Sequence, residues 1–562
     1  MTRTSRTDRD EEVDFIIVGS GAASICAALA IKEAGKSPLI LEKSNLVGGS
    51  TAMSGGVLWM PNNPVAIRAG VKDSYDAALE YLNACTGRTP PTLGSSPERK
   101  HAYLKTAPEV VSFLEARGMK FQHAEGYADY HEGELPSGSA RGRALVGQVY
   151  DVRKLGAWAK KLRAVEGNMP MTTAEAPGLL LYGRTWASKK TLATVGWRMI
   201  RNKLFGTKIV GTGAAVQGRL LEIALREQIP IRTDSAVSEL IEENGRVVGV
   251  LAGEQRRQIR ARLGVLLNAG GFSRNLAMRQ QWQREPASVD WTNANPGDTG
   301  EVMNLAIGLG AAVEVMEQAW WVTISRMPDN PGMHPMHPLD ISKPHCIMVD
   351  ASGERFANES TSYMAIGIAT YDRNPKVRTI PAWAILESRH RHQYPWAGQP
   401  PGKPPQAWLD SGYMKCADTL EELARLCNID PAGLRATVDR FNSFAEKGVD
   451  EDFQRGQSAY ARWMQDPAVR PNGNLGQIIR PPFYAVAIYP GDVGTSGGLV
   501  TDAAARVLKT DGTPIEGLYA AGNITSPVVG RSYPGPGVSI GGAAVFGYLA
   551  ARHAARGPNN RA

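Results

Sequence analysis

Near the end of the chain one phenol sits in a backbone suited to holding a ligand: Tyr533, in Arg531-Ser532-Tyr533-Pro534-Gly535-Pro536-Gly537-Val538-Ser539-Ile540-Gly541-Gly542. Its hydroxyl can donate a hydrogen bond to an oxygen that gains negative charge. Pro534 and Pro536 fix φ, while Gly535 and Gly537 keep the backbone bare enough to approach a flat group. The apolar run from Ala543 to Ala551 predicts a helix that starts just after the loop, with unpaired amides aimed at whatever lies in front. Read by itself, the loop is equally a tight surface turn before a core helix.

Other reactive residue types carry less. His334 and His337 lie in Met333-His334-Pro335-Met336-His337-Pro338. The prolines exclude a regular helix there and no acid or cysteine completes a ligand set, so no metal is expected and the pair reads as a loop over a ligand. The five cysteines have no CxxC spacing, which fits packing residues in a reducing compartment. Cys26 falls inside a predicted helix.

The elements that must position Tyr533 begin at the other end. Val13–Val18 predicts a strand, Gly19-Ser20-Gly21-Ala22-Ala23-Ser24 a turn, Ile25–Ala34 a helix and Ser37–Leu41 a second strand ending at Glu42. Glu42 lies about twenty residues beyond the turn, where an acid takes the ribose hydroxyls of a dinucleotide. The third small position is Ser24, so helix and strand pack slightly wider than with glycine. A second glycine and hydroxyl loop, Lys43 to Gly56, is long enough to run beneath an extended pyrophosphate, which favours FAD over NAD. Its backbone amides and the Ser50, Thr51 and Ser54 hydroxyls suit phosphate oxygens. Gly264–Phe272 and Gly517–Asn523 read as two further strands closing on glycine turns. Four such turns, from first residues to last, imply one nucleotide-binding domain assembled from both chain ends.

These elements resemble the FAD domain of the fumarate reductase and succinate dehydrogenase flavoprotein superfamily. The motif Ser532-Tyr533-Pro534-Gly535-Pro536-Gly537 narrows the resemblance to 3-ketosteroid 1-dehydrogenases, as do Ala128-Asp129-Tyr130-His131 and the stretch from Val349 to Tyr363 containing Asn358-Glu359-Ser360. The resemblance runs from Asp14 to about Ala551. It departs between Gly142 and Gly211, where this chain spends many residues.

The resemblance implies an α/β fold: a Rossmann-like FAD domain over 1–318 and 494–562, with an inserted α+β catalytic domain over 319–493 that caps the flavin. It implies noncovalent FAD, contacted by Gly19, Gly21, Ala22, Ala23, Glu42, Lys43, Gly49, Ser50, Thr51, Ser54, Gly55, Gly56, Ala236, Val237, Ala269, Gly270, Gly522, Asn523, Gly537, Ser539 and Ile540. It implies dehydrogenation of ring A of a 3-ketosteroid and an external, quinone- or dye-like electron acceptor. Tyr363 is then the base for a C2 proton, Tyr130 supports it by hydrogen bonding, and the Tyr533 hydroxyl with the Gly537 amide holds the C3 oxygen. A free phenol has a pKa near 10, so Tyr363 needs help from its surroundings. A 4-dehydrogenase, an enone reductase, or a hydratase or lipid-binding protein with structural FAD remain alternatives.

The net charge of +8 concerns partners only if it is clustered. It is clustered in one place: between Glu175 and Glu222 there is no acidic residue, and Gly178–Gly211 mixes Arg184, Lys189, Lys190, Arg198, Arg201, Lys203 and Lys208 with Trp186, Trp197, Leu204 and Phe205. Such a stretch reads as an interfacial helix on an anionic membrane, or else a subunit contact or a solvated cover. No RNA or DNA motif accompanies it, so no nucleic-acid partner is expected. The start, Met1 to Glu12, has no apolar core of a leader, and no run of eighteen apolar residues occurs. The expected location is cytoplasmic, peripheral at the inner membrane face if that stretch is interfacial.

Overall fold

The computed structural model describes residues 11–328 and 333–557. The polar start before Glu11 and the last residues of the polar tail lie outside them. The chain is α/β, and its largest sheet has eight strands in the order Arg506–Leu508, Pro514–Ala520, Arg246–Ala252, Arg257–Leu267, Glu11–Val18, Pro38–Leu41, Ile231–Arg232, with Val237–Glu243 paired to Arg246–Ala252. Glu11–Val18 runs parallel to both Arg257–Leu267 and Pro38–Leu41, and Pro514–Ala520 joins parallel to Arg257–Leu267. Strands from both ends of the chain therefore flank Arg257–Leu267 in one sheet, and their C-terminal ends bring the glycine turns together.

Strand composition explains the placement. Phe15, Ile16, Ile17, Leu39, Ile40, Val265, Leu266 and Leu267 are almost wholly buried, as expected where helices cover both faces of a parallel sheet. Each buried Ile or Leu contributes roughly 1.5–3 kcal/mol. The helix Ala22–Glu33 has no polar face over its first ten residues, all buried. It packs on the closing helix Val538–Ala555, where a Cβ on Gly547 would stand 2.5 Å from the Ala23 carbonyl. That contact ties the two chain ends together.

A second sheet has five strands: Ala319–Ile324, Phe483–Thr495, Ala382–Glu387 and Cys346–Val349 in that order, with Met414–Ala417 also on Phe483–Thr495. The helical pattern after Thr419 resolves into Leu420–Cys427 and Pro431–Lys447, separated by the left-handed Asn428. The basic stretch forms the short helix Ala176–Leu180 and the long helix Trp186–Leu204, capped by the Thr185 hydroxyl on Ser188 N. No described helix is long and apolar enough to cross a membrane.

Candidate functional site

A cavity of about 750 Å³ runs from Glu42, Ser44 and Arg163 at one end, past the glycine turns, to Tyr363, Tyr533 and Gly537. At the first end Glu42 leaves its strand held by three bonds: Ser20 Oγ donates at 2.6 Å, and Ser44 N and Oγ at 2.9 and 3.0 Å. Its carboxylate is thus fixed as an acceptor on the cavity wall. Lys43 Nζ donates to the Gly297 carbonyl (2.9 Å) and Thr299 Oγ1 (2.8 Å), and also pairs with Glu301.

The turns are cross-linked by a residue that sequence reasoning missed, Asn268. Its N–H donates to Val18 O at 2.8 Å, its Oδ1 accepts from Ser24 Oγ at 2.9 Å, and its Nδ2 donates to Ala521 O at 2.8 Å. Ser24, the departure from a small apolar third position, is therefore part of this link. Gly19, at φ +99°, would place a Cβ 2.1 Å from the Asn268 carbonyl oxygen, so the close approach of first and third turns requires glycine. This bare cradle, with a fixed acidic acceptor at one end, fits the adenosine and pyrophosphate of FAD.

The hydroxyls expected to face phosphate are partly engaged by protein. Thr51 Oγ1 accepts from Ala22 N at 3.2 Å, Ser54 Oγ donates to Thr51 O at 2.7 Å and accepts from Gly56 N at 3.0 Å, and Ser50 Oγ donates to Asp298 at 3.1 Å. Burial lifts the Asp298 carboxyl to about 7. Of the expected FAD contacts, Gly19, Gly21, Ala22, Glu42, Lys43, Gly49, Ser50, Thr51, Ser54, Gly55, Val237, Ala269, Gly270, Gly522, Asn523, Gly537, Ser539 and Ile540 line the cavity; Ala23, Gly56 and Ala236 do not. Ala23 is enclosed in its helix. A Cβ on Gly56 would meet the Thr212 backbone at 2.4 Å, so that glycine serves a chain crossing.

At the other end three phenols converge. The Tyr363 and Tyr533 hydroxyls are 2.6 Å apart, and the rings stand edge to face at 5.4 Å. Tyr130 lies edge-on to both, 5.8 Å from Tyr363 and 5.1 Å from Tyr533. Burial pushes Tyr130 and Tyr363 well above the ordinary phenol range. It raises Tyr533 too, while the Tyr363 hydroxyl and the Gly537 backbone hold Tyr533 back. All three are neutral phenols near pH 7. The Tyr130 hydroxyl, buried with Tyr127 and Tyr460 in an aromatic cluster behind the cavity wall, forms no well-aligned hydrogen bond among the described residues, yet it lies close enough to Tyr363 to hold that phenol back against the upward push of burial.

The loop bearing Tyr533 is held from behind. The Pro534 carbonyl accepts from Tyr130 N at 2.9 Å and from the Tyr81 hydroxyl at 2.6 Å, and Gly537 O accepts from Trp59 N at 3.2 Å. Trp59 Nε1 donates to Asp129 at 2.7 Å, and Asp129 also pairs with Arg143. Gly537, at φ +84°, caps the helix Val538–Ala555, and a Cβ there would fall 2.1 Å from Val57 O. Tyr363 opens the helix Tyr363–Arg373. Just before it, the buried Glu359 accepts from Arg355 at 2.7 Å, Arg455 at 3.1 Å and Met348 N at 3.0 Å. The acid of the Asn358-Glu359-Ser360 motif thus anchors the helix start that carries Tyr363.

Several wall residues gave no sequence signal. Tyr127 and Trp463 stack at 4.1 Å, Tyr460 lies beside them, and Trp320 is oriented by Asn523 Oδ1, which accepts from its Nε1 at 3.0 Å. Isolated aromatic residues read as core. His334 lines the cavity as a loop residue, whereas His337 is buried behind it between Asp340 and Ser325. Cys26 is buried in its helix, its thiol raised by burial to about 12.

Comparison with known proteins supports the cofactor and the family. A family model described as an FAD binding domain matches residues 14–540. A 3-oxosteroid 1-dehydrogenase of Mycobacterium tuberculosis is 40% identical over 97% of this chain and 98% of its own length. A 4-oxocyclohexanecarboxylate 2-dehydrogenase of Sinomonas cyclohexanicum is 34% identical over 96% of this chain and 92% of its own. The crystal structure of 3-ketosteroid delta1-dehydrogenase from Sterolibacterium denitrificans, in complex with 1,4-androstadiene-3,17-dione, superposes with a TM-score of 0.89 at 35% identity, covering 97% of this chain and 99% of that one. FAD is the cofactor that the cradle and these matches share, and the chain belongs to the 3-oxosteroid 1-dehydrogenase family of FAD-binding oxidoreductases.

Proposed function

We propose that the chain introduces a double bond between C1 and C2 of ring A of 3-ketosteroids. The observation that carries this reading is the Tyr363–Tyr533 hydroxyl pair, 2.6 Å apart beside Gly537, where the FAD cavity ends. A ketone oxygen entering between the Tyr533 hydroxyl and the Gly537 amide takes the hydrogen bond that Tyr533 shares with Tyr363. The Tyr363 oxygen is then released toward the carbon next to the ketone. Two donors on the C3 oxygen stabilise the enolate as the C2 proton passes to Tyr363 in its ionised form, the phenol proton having first left to solvent. FAD, when bound, accepts the hydride that leaves C1. Tyr130 positions both rings from behind. In this reading residues 319–493 form the cap that brings Tyr363 over the FAD domain of 1–318 and 494–562, and Tyr127, Tyr460 and Trp463 exclude water.

The wall favours a large apolar ketone over a small carboxylated one. Beyond the phenols it is lined by Met327, Met336, Pro338 and Leu339, and its cations Lys43 and Arg163 stand at the Glu42 end. A ring carboxylate would find no cation near the phenols among the described wall residues. Incubation with 4-androstene-3,17-dione or 4-oxocyclohexanecarboxylate and a quinone-like acceptor tests this. The expected product is the 1,4-diene of the steroid; turnover of the cyclohexane acid alone would overturn the substrate assignment.

We also infer that the helix Trp186–Leu204 rests on an anionic membrane surface. Trp186 is 84% exposed, Leu204 70% and Phe205 62%, and Lys189, Lys190, Arg201 and Lys203 are exposed along the same helix. Apolar and cationic groups together are what an anionic bilayer attracts. Not every cation of the stretch is available: Arg198 donates to Glu175 at 2.9 Å and Arg184 to the buried Asp466 at 2.5 Å. Leu180 of the preceding short helix lines the cavity, so this surface adjoins the substrate space.

A further inference from the structure

Resting on the steroid reading above, we propose that Asp340 is a specificity-determining residue that accepts a hydrogen bond from a hydroxyl at the end of the substrate remote from ring A. Asp340 lines the cavity, directly after Leu339, which packs against the cluster containing the phenols. It is a carboxylate in an otherwise apolar stretch of wall and is only 7% exposed.

Its two oxygens differ. Oδ2 accepts from His337 Nδ1 at 2.8 Å and from Ala397 N at 3.3 Å. Oδ1 has no hydrogen bond among the described residues, yet it is not among the buried polar atoms sealed without a partner. It is therefore accessible, on a residue that lines the cavity. The side chain cannot easily turn away, because the imidazole behind it is fixed: His337 Nε2 is 2.7 Å from Ser325 Oγ, which is 2.7 Å from the Tyr413 hydroxyl, and the ring stacks on Trp396 at 4.3 Å.

A buried carboxylate oxygen with free lone pairs favours a donor and disfavours an acceptor. A hydroxyl satisfies it. A ketone at the same point would set two acceptors against each other. Lys343 is buried with its Nζ on the Met464 carbonyl, and Asp340 and Asp466 act on it electrostatically from the protein side, so a neutral hydroxyl suits the site better than a second cation. The chemical class selected is a 3-ketosteroid carrying a hydroxyl, not a ketone, at its far end.

The test compares kcat/KM of the FAD-loaded protein for 17-hydroxyandrost-4-en-3-one and 4-androstene-3,17-dione, in wild type, Asp340→Asn and Asp340→Ala. Wild type is expected to favour the hydroxysteroid by about tenfold or more, as for a hydrogen bond to a charged group. The preference should shrink in Asp340→Asn and vanish in Asp340→Ala. The isosteric Asn variant guards against loss of folding in the Ala variant, and the ratio of two substrates is insensitive to the amount of active protein. If wild type shows no preference, or Asp340→Asn keeps the full preference, the distal contact is wrong while the dehydrogenase reading stands. If wild type oxidises neither steroid, that reading falls and the inference falls with it.

Discussion

Tyr363 and Tyr533 share one hydrogen bond in the structure, so their roles separate only when a ketone competes for it. Tyr363→Phe is expected to lower turnover by about 10²–10⁴ with FAD content unchanged, the range for loss of a general base. Tyr533→Phe should cost roughly 3 kcal/mol of transition-state stabilisation if it is a true enolate donor. Steady-state dye reduction, with flavin absorbance as the measure of loading, checks both. The pH dependence has a definite sign. Burial holds the Tyr363 phenol above its ordinary pKa of about 10, so its deprotonated form grows throughout the neutral and alkaline range. Turnover limited by proton removal should therefore rise with pH up to the limit of protein stability. A maximum near pH 7 followed by a fall would show that Tyr363 is not the base.

At the scale of elements, the sheet and its turns were legible in the sequence because strand, turn, helix, strand and acid fall at fixed spacing from Val13 to Glu42 and each has a local cause. The helix start at Val538 followed from the glycines and prolines before it. Asn268 and the wall formed by Tyr127, Tyr460 and Trp463 were not legible: each residue acts only through partners far away in sequence, and a single Asn or aromatic residue has many bland uses. How closely the Tyr130 hydroxyl approaches Tyr363 was not legible for the same reason, since ring packing across three segments decides where it sits. Arg198 and Arg184 counted as surface charge in the sequence, but acids brought near by folding engage them.

With Arg198 and Arg184 engaged, the exposed cations Lys189, Lys190, Arg201 and Lys203 face the membrane surface in this reading. Replacing Lys189, Lys190, Arg201 and Lys203 together by Glu should abolish flotation with anionic liposomes, at about 1 kcal/mol of attraction per cation. Replacing Trp186 and Trp197 by Ser should weaken it with less dependence on salt. Activity on a soluble ketosteroid should hold in both. A wild-type protein that never floats with anionic liposomes would mark the helix as a contact between subunits instead.

Over the whole molecule, FAD joins segments that meet only in the fold: the turns at Gly19, Gly49, Gly270 and Gly522 all border one cavity. Gly19→Ala should therefore remove FAD, since its Cβ would overlap the Asn268 carbonyl, and the loss reads out as colourless protein after gel filtration. FAD is held without a covalent bond in this account, so acid precipitation of the yellow protein should leave the flavin in the supernatant. Colour retained in the pellet would contradict it. The central claim joins the cradle, the phenols and the substrate, and anaerobic mixing of the FAD-loaded protein with a 4-en-3-ketosteroid tests it most directly. Wild type should bleach its oxidised flavin band and yield the steroid lighter by two hydrogens at C1 and C2, while Tyr363→Phe, equally loaded, should bleach about 10²–10⁴ times more slowly. A flavin that stays oxidised with the steroid, or bleaching at the wild-type rate in Tyr363→Phe, would contradict the account.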